Sequence, residues 1–215
     1  MTPLMCHRTN PYAISFWHST SIINNHQRKN EKPNMNKHFL AILLLTLFFS
    51  AASAQPFRPV DEKSKIEFRI SHKMIFRSTV TGTFKGLKGS ILFNAKDPAN
   101  SIFDVSIDAA TINSGIGMRD KDLKKDKYFD VQHYPVITIR SKEITKASQE
   151  NEYILSGLLS IKGKSLPISF LFTAVQSGSG YIFKGQFHLN RLEFNIGPDN
   201  SIDKDVQVNL SVMAQ

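Results

Sequence analysis

Cysteine is almost missing from this 215-residue chain: Cys6 is its only one, and Trp17 its only tryptophan. After residue 54 there is no cysteine at all, so the remaining 161 residues fold without disulfides and offer no thiol nucleophile. Stability there must come from packing. Long apolar runs are equally scarce, and none reaches the ~20 residues of a bilayer-spanning helix. Arg-rich blocks are lacking too. Five of the 27 basic and one of the 18 acidic residues precede Gln55, which leaves 22 against 17 and a net charge of +5. Charge this mild and dispersed argues against a nucleic-acid partner.

The first 54 residues stand apart. Met35-Asn36-Lys37-His38, the apolar stretch 39–49 and Ala52-Ser53-Ala54 are the basic start, apolar core and small-residue end of a secretory signal peptide. Cleavage after Ala54 is expected to leave Gln55 first and to place the product in the periplasm or outside the cell. Residues 1–34 are polar and aperiodic. The expected reading is a start assigned upstream of the true one at Met35, and the alternative is a disordered extension.

From residue 64 the pattern has period two. Ile66, Phe68 and Ile70 share one face of 64–72, and Lys65, Glu67 and Arg69 the other, as in a half-buried strand. Within 78–94, Val80, Gly82 and Phe84 keep one phase, while Leu87, Ile91 and Phe93 keep the other. A one-residue slip beside Gly86 predicts a β-bulge. Asp97-Pro98-Ala99-Asn100 reads as a turn, and 102–112 as a strand with Phe103, Val105, Ile107 and Ala109 on one side. Further strands are expected over 136–144, 152–161, 166–175, 181–192 and 206–213.

Eight strands with short turns specify an all-β antiparallel meander, and closing it into a barrel removes exposed edges. An eight-stranded barrel either fills its interior with side chains or holds one small ligand. An outer-membrane barrel shows the same alternation turned inside out. The charged faces (Lys65, Glu67, Arg69; Lys142, Glu143), the mid-strand aromatics and the final Val212-Met213-Ala214-Gln215 favour the soluble form.

One segment, 119–141, breaks the succession of strands. Its charges suit a short solvated helix over 121–127, with Asp120, Asp122, Asp126 and Asp130 interleaved among Lys121, Lys124, Lys125 and Lys127. Tyr128, Phe129 and Tyr134 follow, and Pro135 turns the chain into the next strand. The segment is expected to cross between strands three and four and cover one end of the barrel.

Several spacings occur in order: Ser64-x-Ile66-x-Phe68-x-Ile70-x-His72, Val80-x-Gly82-x-Phe84-x-Gly86-Leu87-x-Gly89, Arg119-Asp120-x-x-Leu123, Tyr128-Phe129-Asp130 and Tyr134-Pro135. Gly157-x-Leu159-x-Ile161-x-Gly163 and Asn190-Arg191-Leu192-Glu193-Phe194 complete the set. Together they resemble the YceI-like family of exported, lipocalin-like barrels that bind polyisoprenoids, over about 60–214. The resemblance implies an eight-stranded lipocalin-like β-barrel with a short helix between strands three and four. It also implies an isoprenoid lipid as ligand. The chain departs from the pattern at Asp122, where members commonly carry His, so no role of that imidazole transfers.

The inward apolar face is the main candidate site. Ile66, Phe68, Ile70, Phe84, Phe93, Phe170, Phe172, Phe183 and Phe187 suit either a tunnel for a long apolar tail or a closed core. Inward Gly82, Gly157 and Gly185 favour unfilled space, and the resemblance favours the tunnel further. Arg119 with Asp120 has two readings: a structural pair or cap, or an arginine facing a ligand's polar head. Arg191 is open in the same way, and His72 is a third candidate for the head. The spacing of His72, His133 and His188 matches no metal-ligand motif, so no metal is expected. No cofactor is expected either, and no Ser–His–Asp signature stands out to suggest catalysis. Expected partners are an isoprenoid lipid and a transient membrane contact. The oligomeric state is open, a dimer included. A different class stays open as well: a packed barrel acting through its surface as a stress-related or redox-partner module.

Overall fold

The computed structural model describes residues 55–72, 78–199 and 201–215. The expectations for 1–34 and 35–54 lie outside the described residues. Eight strands follow one another: β1 (Lys65–His72), β2 (Thr79–Leu92), β3 (Ile102–Asn113), β4 (Val136–Lys146), β5 (Glu152–Ile161), β6 (Lys164–Ser177), β7 (Gly180–Asn190) and β8 (Ile202–Ala214). Each pairs antiparallel with the next, and β1 pairs with β8 to close the barrel. One short helix, α1 (Gly117–Leu123), lies between β3 and β4.

Alternation sets the registers. Ile66, Phe68 and Ile70 of β1 sit opposite Phe84, Gly82 and Val80 on one side and Leu210, Val208 and Val206 on the other. The predicted bulge is present. Pairing steps from Lys85↔Asp108 to Lys88↔Ser106, three residues against two, and Gly86 takes the extra position with φ +73°. A side chain is strained at that angle, whereas glycine is not.

The helix begins four residues earlier than the charge pattern predicts. Asp120 is therefore inside α1 rather than its cap, and its carboxylate turns back to accept from the Ser114 N–H and hydroxyl. Beyond Leu123 the chain makes successive tight turns, with Asp130 at φ +49°. β7 also stops two residues early. The Asn190 side chain accepts from the Leu192 N–H and starts a 3-10 turn at Arg191–Phe194.

Apolar side chains face inward and the exterior is mostly polar. At one end the interior is a solid block of rings. Phe93 meets Tyr181, Tyr153 and Phe183 at centroid distances of 5.0, 5.1 and 5.3 Å, mostly edge to face. Phe57 adds an edge-on contact to Tyr181, and its segment is bonded to Ile91 on β2. The chain beyond Phe57 runs on to pair Arg58 with Gln215, so this end is closed over. Burial of Tyr153 pushes its hydroxyl pKa up, with Tyr181 adding to the effect.

The inward glycines do not leave space, contrary to expectation. A Cβ on Gly82 would stand 2.3 Å from the Phe68 ring, one on Gly185 3.0 Å from the Phe170 ring, and one on Gly157 2.2 Å from the Arg140 carbonyl. The glycines make room for neighbouring rings and backbone that already fill it. Glu67 also differs from its expected solvated position. It is 8% exposed, tied to Lys65 and Arg69 and approached by the Asn209 amide.

Candidate functional site

The other end of the barrel holds a cavity of about 200 Å³. Its walls follow directly from strand alternation: Ile66, Phe68 and Ile70 from β1, Val80, Phe84 and Leu87 from β2, Val105 and Ile107 from β3, and Ile137 and Ile139 from β4. Leu159 and Ile161 of β5, Phe187 and Leu189 of β7 and Ile202, Val206, Val208, Leu210 and Val212 of β8 add to them, together with Glu67, Ser106 and Ile112. Among the described residues three connections gather at this end. The β3–β4 crossover contributes Arg119, Leu123, Tyr128 and Phe129, and the β7–β8 connection contributes Arg191, Ile196 and Pro198. The β5–β6 turn joins them together. Lys162 Nζ donates to the Asp126 and Asn195 carbonyls, Lys164 Nζ donates to the Glu193 carbonyl and Asn195 Oδ1, and the Gly197 N–H donates to Lys127.

The aromatic residues after α1 split into two roles. Phe129 meets Phe84 at 5.7 Å, and Tyr128 lies against Gly197, where a Cβ would come within 2.7 Å of its ring. Tyr134 instead packs against Gly163 and is 39% exposed, outside the cavity.

The two arginines differ sharply. Arg191 is 5% exposed and spreads its guanidinium over backbone: Nε donates to the Asp203 carbonyl (2.8 Å), Nη1 to Ile196 (2.7 Å) and Nη2 to Ile202 (3.0 Å). It braces the β7–β8 connection from inside. Arg119 and Asp120 do not meet directly but share Ser114. Arg119 Nε donates to its hydroxyl and Nη2 to its carbonyl, both at 2.7 Å, leaving Nη1 without a hydrogen bond among the described residues. Burial raises the Asp120 pKa, but the Ser114 hydroxyl and N–H together with the Arg119 and Lys124 charges outweigh it and hold the carboxyl below its ordinary value.

Of the residues singled out in the sequence, Ile66, Phe68, Ile70, Phe84, Arg119, Phe187 and Arg191 line the cavity. Phe170, Phe172 and Phe183 line a second void of about 50 Å³ deeper in the barrel. Phe93 lines neither and stands in the aromatic block. The side chain of His72 lies outside the described residues. His133 and His188 each meet a carboxylate at 2.8 Å, Asp130 and Asp205 respectively. The β8 wall was not singled out, although Val206-x-Val208-x-Leu210-x-Val212 carries the same period-two signal.

The model of the YceI-like domain matches residues 58–214. The chain belongs to this family. It is 28% identical over 177 residues to a UPF0312 protein of Enterobacter sp. (strain 638), covering 77% of this chain and 89% of that one. Protein YceI of Escherichia coli O157:H7 is 27% identical, with 77% and 90% covered. Among solved structures, BcnA of Burkholderia cenocepacia superposes with a TM-score of 0.67 at 27% identity, over 73% of this chain and 99% of that one. A polyisoprenoid binding domain from Saccharophagus degradans, implicated in plant cell wall breakdown, shares the fold with a TM-score of 0.60 at 17% identity, over 74% and 97%. These YceI-like neighbours and the present chain have one barrel architecture.

Proposed function

We propose that this YceI-like barrel is an exported lipid-binding protein that holds a polyisoprenoid, either an isoprenoid quinone or a polyprenyl phosphate, for carriage or storage without catalysing a reaction. The observation that carries the reading is the cavity itself. Its wall is almost wholly apolar, and its end bears one guanidinium with an uncommitted donor, Nη1 of Arg119. A prenyl tail gains roughly 25 cal/mol for each Å² moved out of water. Ile66, Phe68, Ile70, Phe84 and Phe187 would contact the tail, with Phe170, Phe172, Phe183 and Phe93 beyond its far end. Arg119 would donate to the head, a ketone or phosphate oxygen, with Arg191 and His72 as further candidates. The polyisoprenoid-binding neighbour from Saccharophagus degradans supports the ligand class, and the pattern over 35–54 supports export. An apolar cavity of about 200 Å³ inside the barrel favours this reading over a surface-acting module with a packed core.

Loading requires access to a membrane. Ile116 and Met118, just before and within the start of α1, are 54% and 79% exposed and are followed by Lys121, Lys124, Lys125 and Lys127. This stretch is the proposed point of transient bilayer contact. Native mass spectrometry of protein isolated from its host tests the binding reading, and a bound isoprenoid lipid is expected. Finding no lipid at any occupancy, together with no binding of added isoprenoid quinone or polyprenyl phosphate, overturns it.

A further inference from the structure

Resting on the reading that the cavity takes a lipid tail, we infer that the barrel is a blind pocket that measures the tail, with Phe103, Phe172 and Phe183 as the stop. The lining of the cavity descends β8 from Ile202 to Val212. Ten residues at ~3.3 Å each make roughly 33 Å of strand, and a tilt of ~35–45° turns that into about 25 Å of depth. Val212 is directly opposite Phe183 in the β7–β8 register, so the wall ends at the level of that ring. Phe183 then meets Phe103 at 5.2 Å and Phe172 at 6.2 Å, and Phe103 meets Phe172 at 5.5 Å. Three rings in mutual contact close the cross-section.

Among the described residues nothing opens behind them. Phe93 and Tyr181 continue the block, and the bonded segment at Phe57 covers the end of the barrel. The small void beside the stop shares Val105, Ile139, Leu210 and Val212 with the main cavity and is bounded by the three phenylalanines. It is the space, between the pocket and the rings, that a smaller side chain in the stop would enlarge at the foot of the pocket. A tail that reaches the rings has buried all it can, and further carbons stay near the mouth in water. Interiors packed to crystal-like density do not part for an added isoprene unit without cost.

The test is a chain-length series on the full chain: geraniol, farnesol, geranylgeraniol and longer prenols, with straight-chain alcohols as a second series, measured by calorimetric titration. Affinity is expected to rise more than about tenfold per isoprene unit while the tail is inside and then to stop rising. Phe183→Leu is expected to move the stopping point to a longer tail, and Val105→Phe, which narrows the shared wall, to a shorter one. An affinity that keeps climbing through the longest prenol overturns the inference, as does an unchanged stopping point in either folded variant. The wild-type series decides the matter even where a variant does not fold. A stopping point among straight-chain alcohols without prenol binding overturns the isoprenoid reading and leaves the stop standing. No binding in either series overturns both.

Discussion

Arg119 and Arg191 show how one residue type does two jobs in one cavity wall. All three nitrogens of Arg191 donate to backbone carbonyls that the barrel buries. Replacing Arg191 with Gln strands those acceptors and is expected to lower stability by about 2–4 kcal/mol in urea unfolding, with the loss concentrated in the β7–β8 connection. Among the described residues Arg119 hydrogen-bonds only Ser114 and leaves Nη1 over. Arg119→Gln is expected to cost about 1 kcal/mol of stability but to weaken binding of a prenyl phosphate by about tenfold, while prenol binding changes little. Equal losses for prenol and prenyl phosphate would remove Arg119 from the head group. In the sequence the two arginines looked alike, because the partners of Arg191 belong to a loop whose path no periodicity encodes. Glu67 was equally hidden, since alternation correctly places it opposite Ile66 and Phe68 but says nothing about what covers it. The Lys65 and Arg69 hydrogen bonds hold its carboxyl below the ordinary 4.5 against the effect of burial. A lowered native pKa stabilises the fold above pH 4.5, and that contribution is lost as pH falls through the native value. Asp120, lowered from 3.8, acts in the same direction at lower pH. The urea midpoint is therefore expected to drop below about pH 4.5, and Glu67→Gln is expected to remove part of that drop. A variant that acid destabilises as much as the parent would contradict this account.

At the scale of elements, the part most open to change is the crossover between β3 and β4. It has one short helix of seven residues and is tied across the cavity end by lysines rather than by a sheet. Lys162 is the central tie, because its ammonium reaches the crossover at Asp126 and the β7–β8 connection at Asn195 together. Lys162→Met keeps the apolar stem and removes the donors. The expected result is faster amide exchange over 120–134 and faster ligand exchange, with a stability loss of only about 1 kcal/mol. Unchanged exchange in that segment would show that Tyr128 and Phe129 hold it alone. The strands were legible because side-chain period two survives any local detail, and even the bulge at Gly86 declared itself as a slip in phase. The helix was displaced because its placement depends on Asp120 reaching back to Ser114, a contact between a carboxylate and a loop residue six positions earlier. Charge spacing marks a solvated helix face but not where the first turn begins. The end of β7 escaped for a related reason, since the Asn190 side chain, rather than any break in alternation, starts the 3-10 turn.

At the scale of the whole molecule, one barrel carries two interiors of opposite character. The ring block supplies dense packing in a domain without disulfides, and the cavity end withholds it. An apolar space of about 200 Å³ that side chains do not pack corresponds to roughly 5 kcal/mol at the ~24 cal/mol per Å³ typical of engineered cavities. A tail occupying that space restores contacts in the folded state that the unfolded chain cannot make, so ligand and fold are linked. With free ligand at 100 times Kd, the gain is about 2.7 kcal/mol. For a domain of this size that is an increase in Tm of about 5–11 °C. Protein stripped of lipid by detergent exchange and then resupplied is expected to show this difference in a thermal melt. The protection should also be uneven: amide exchange should slow in the crossover and at Ile202–Ala214 more than in β6, whose phenylalanines are already packed. A rise in Tm with uniform protection would point to a lipid bound on the outside of the barrel, because only a ligand in the open half has less-packed strands to stiffen.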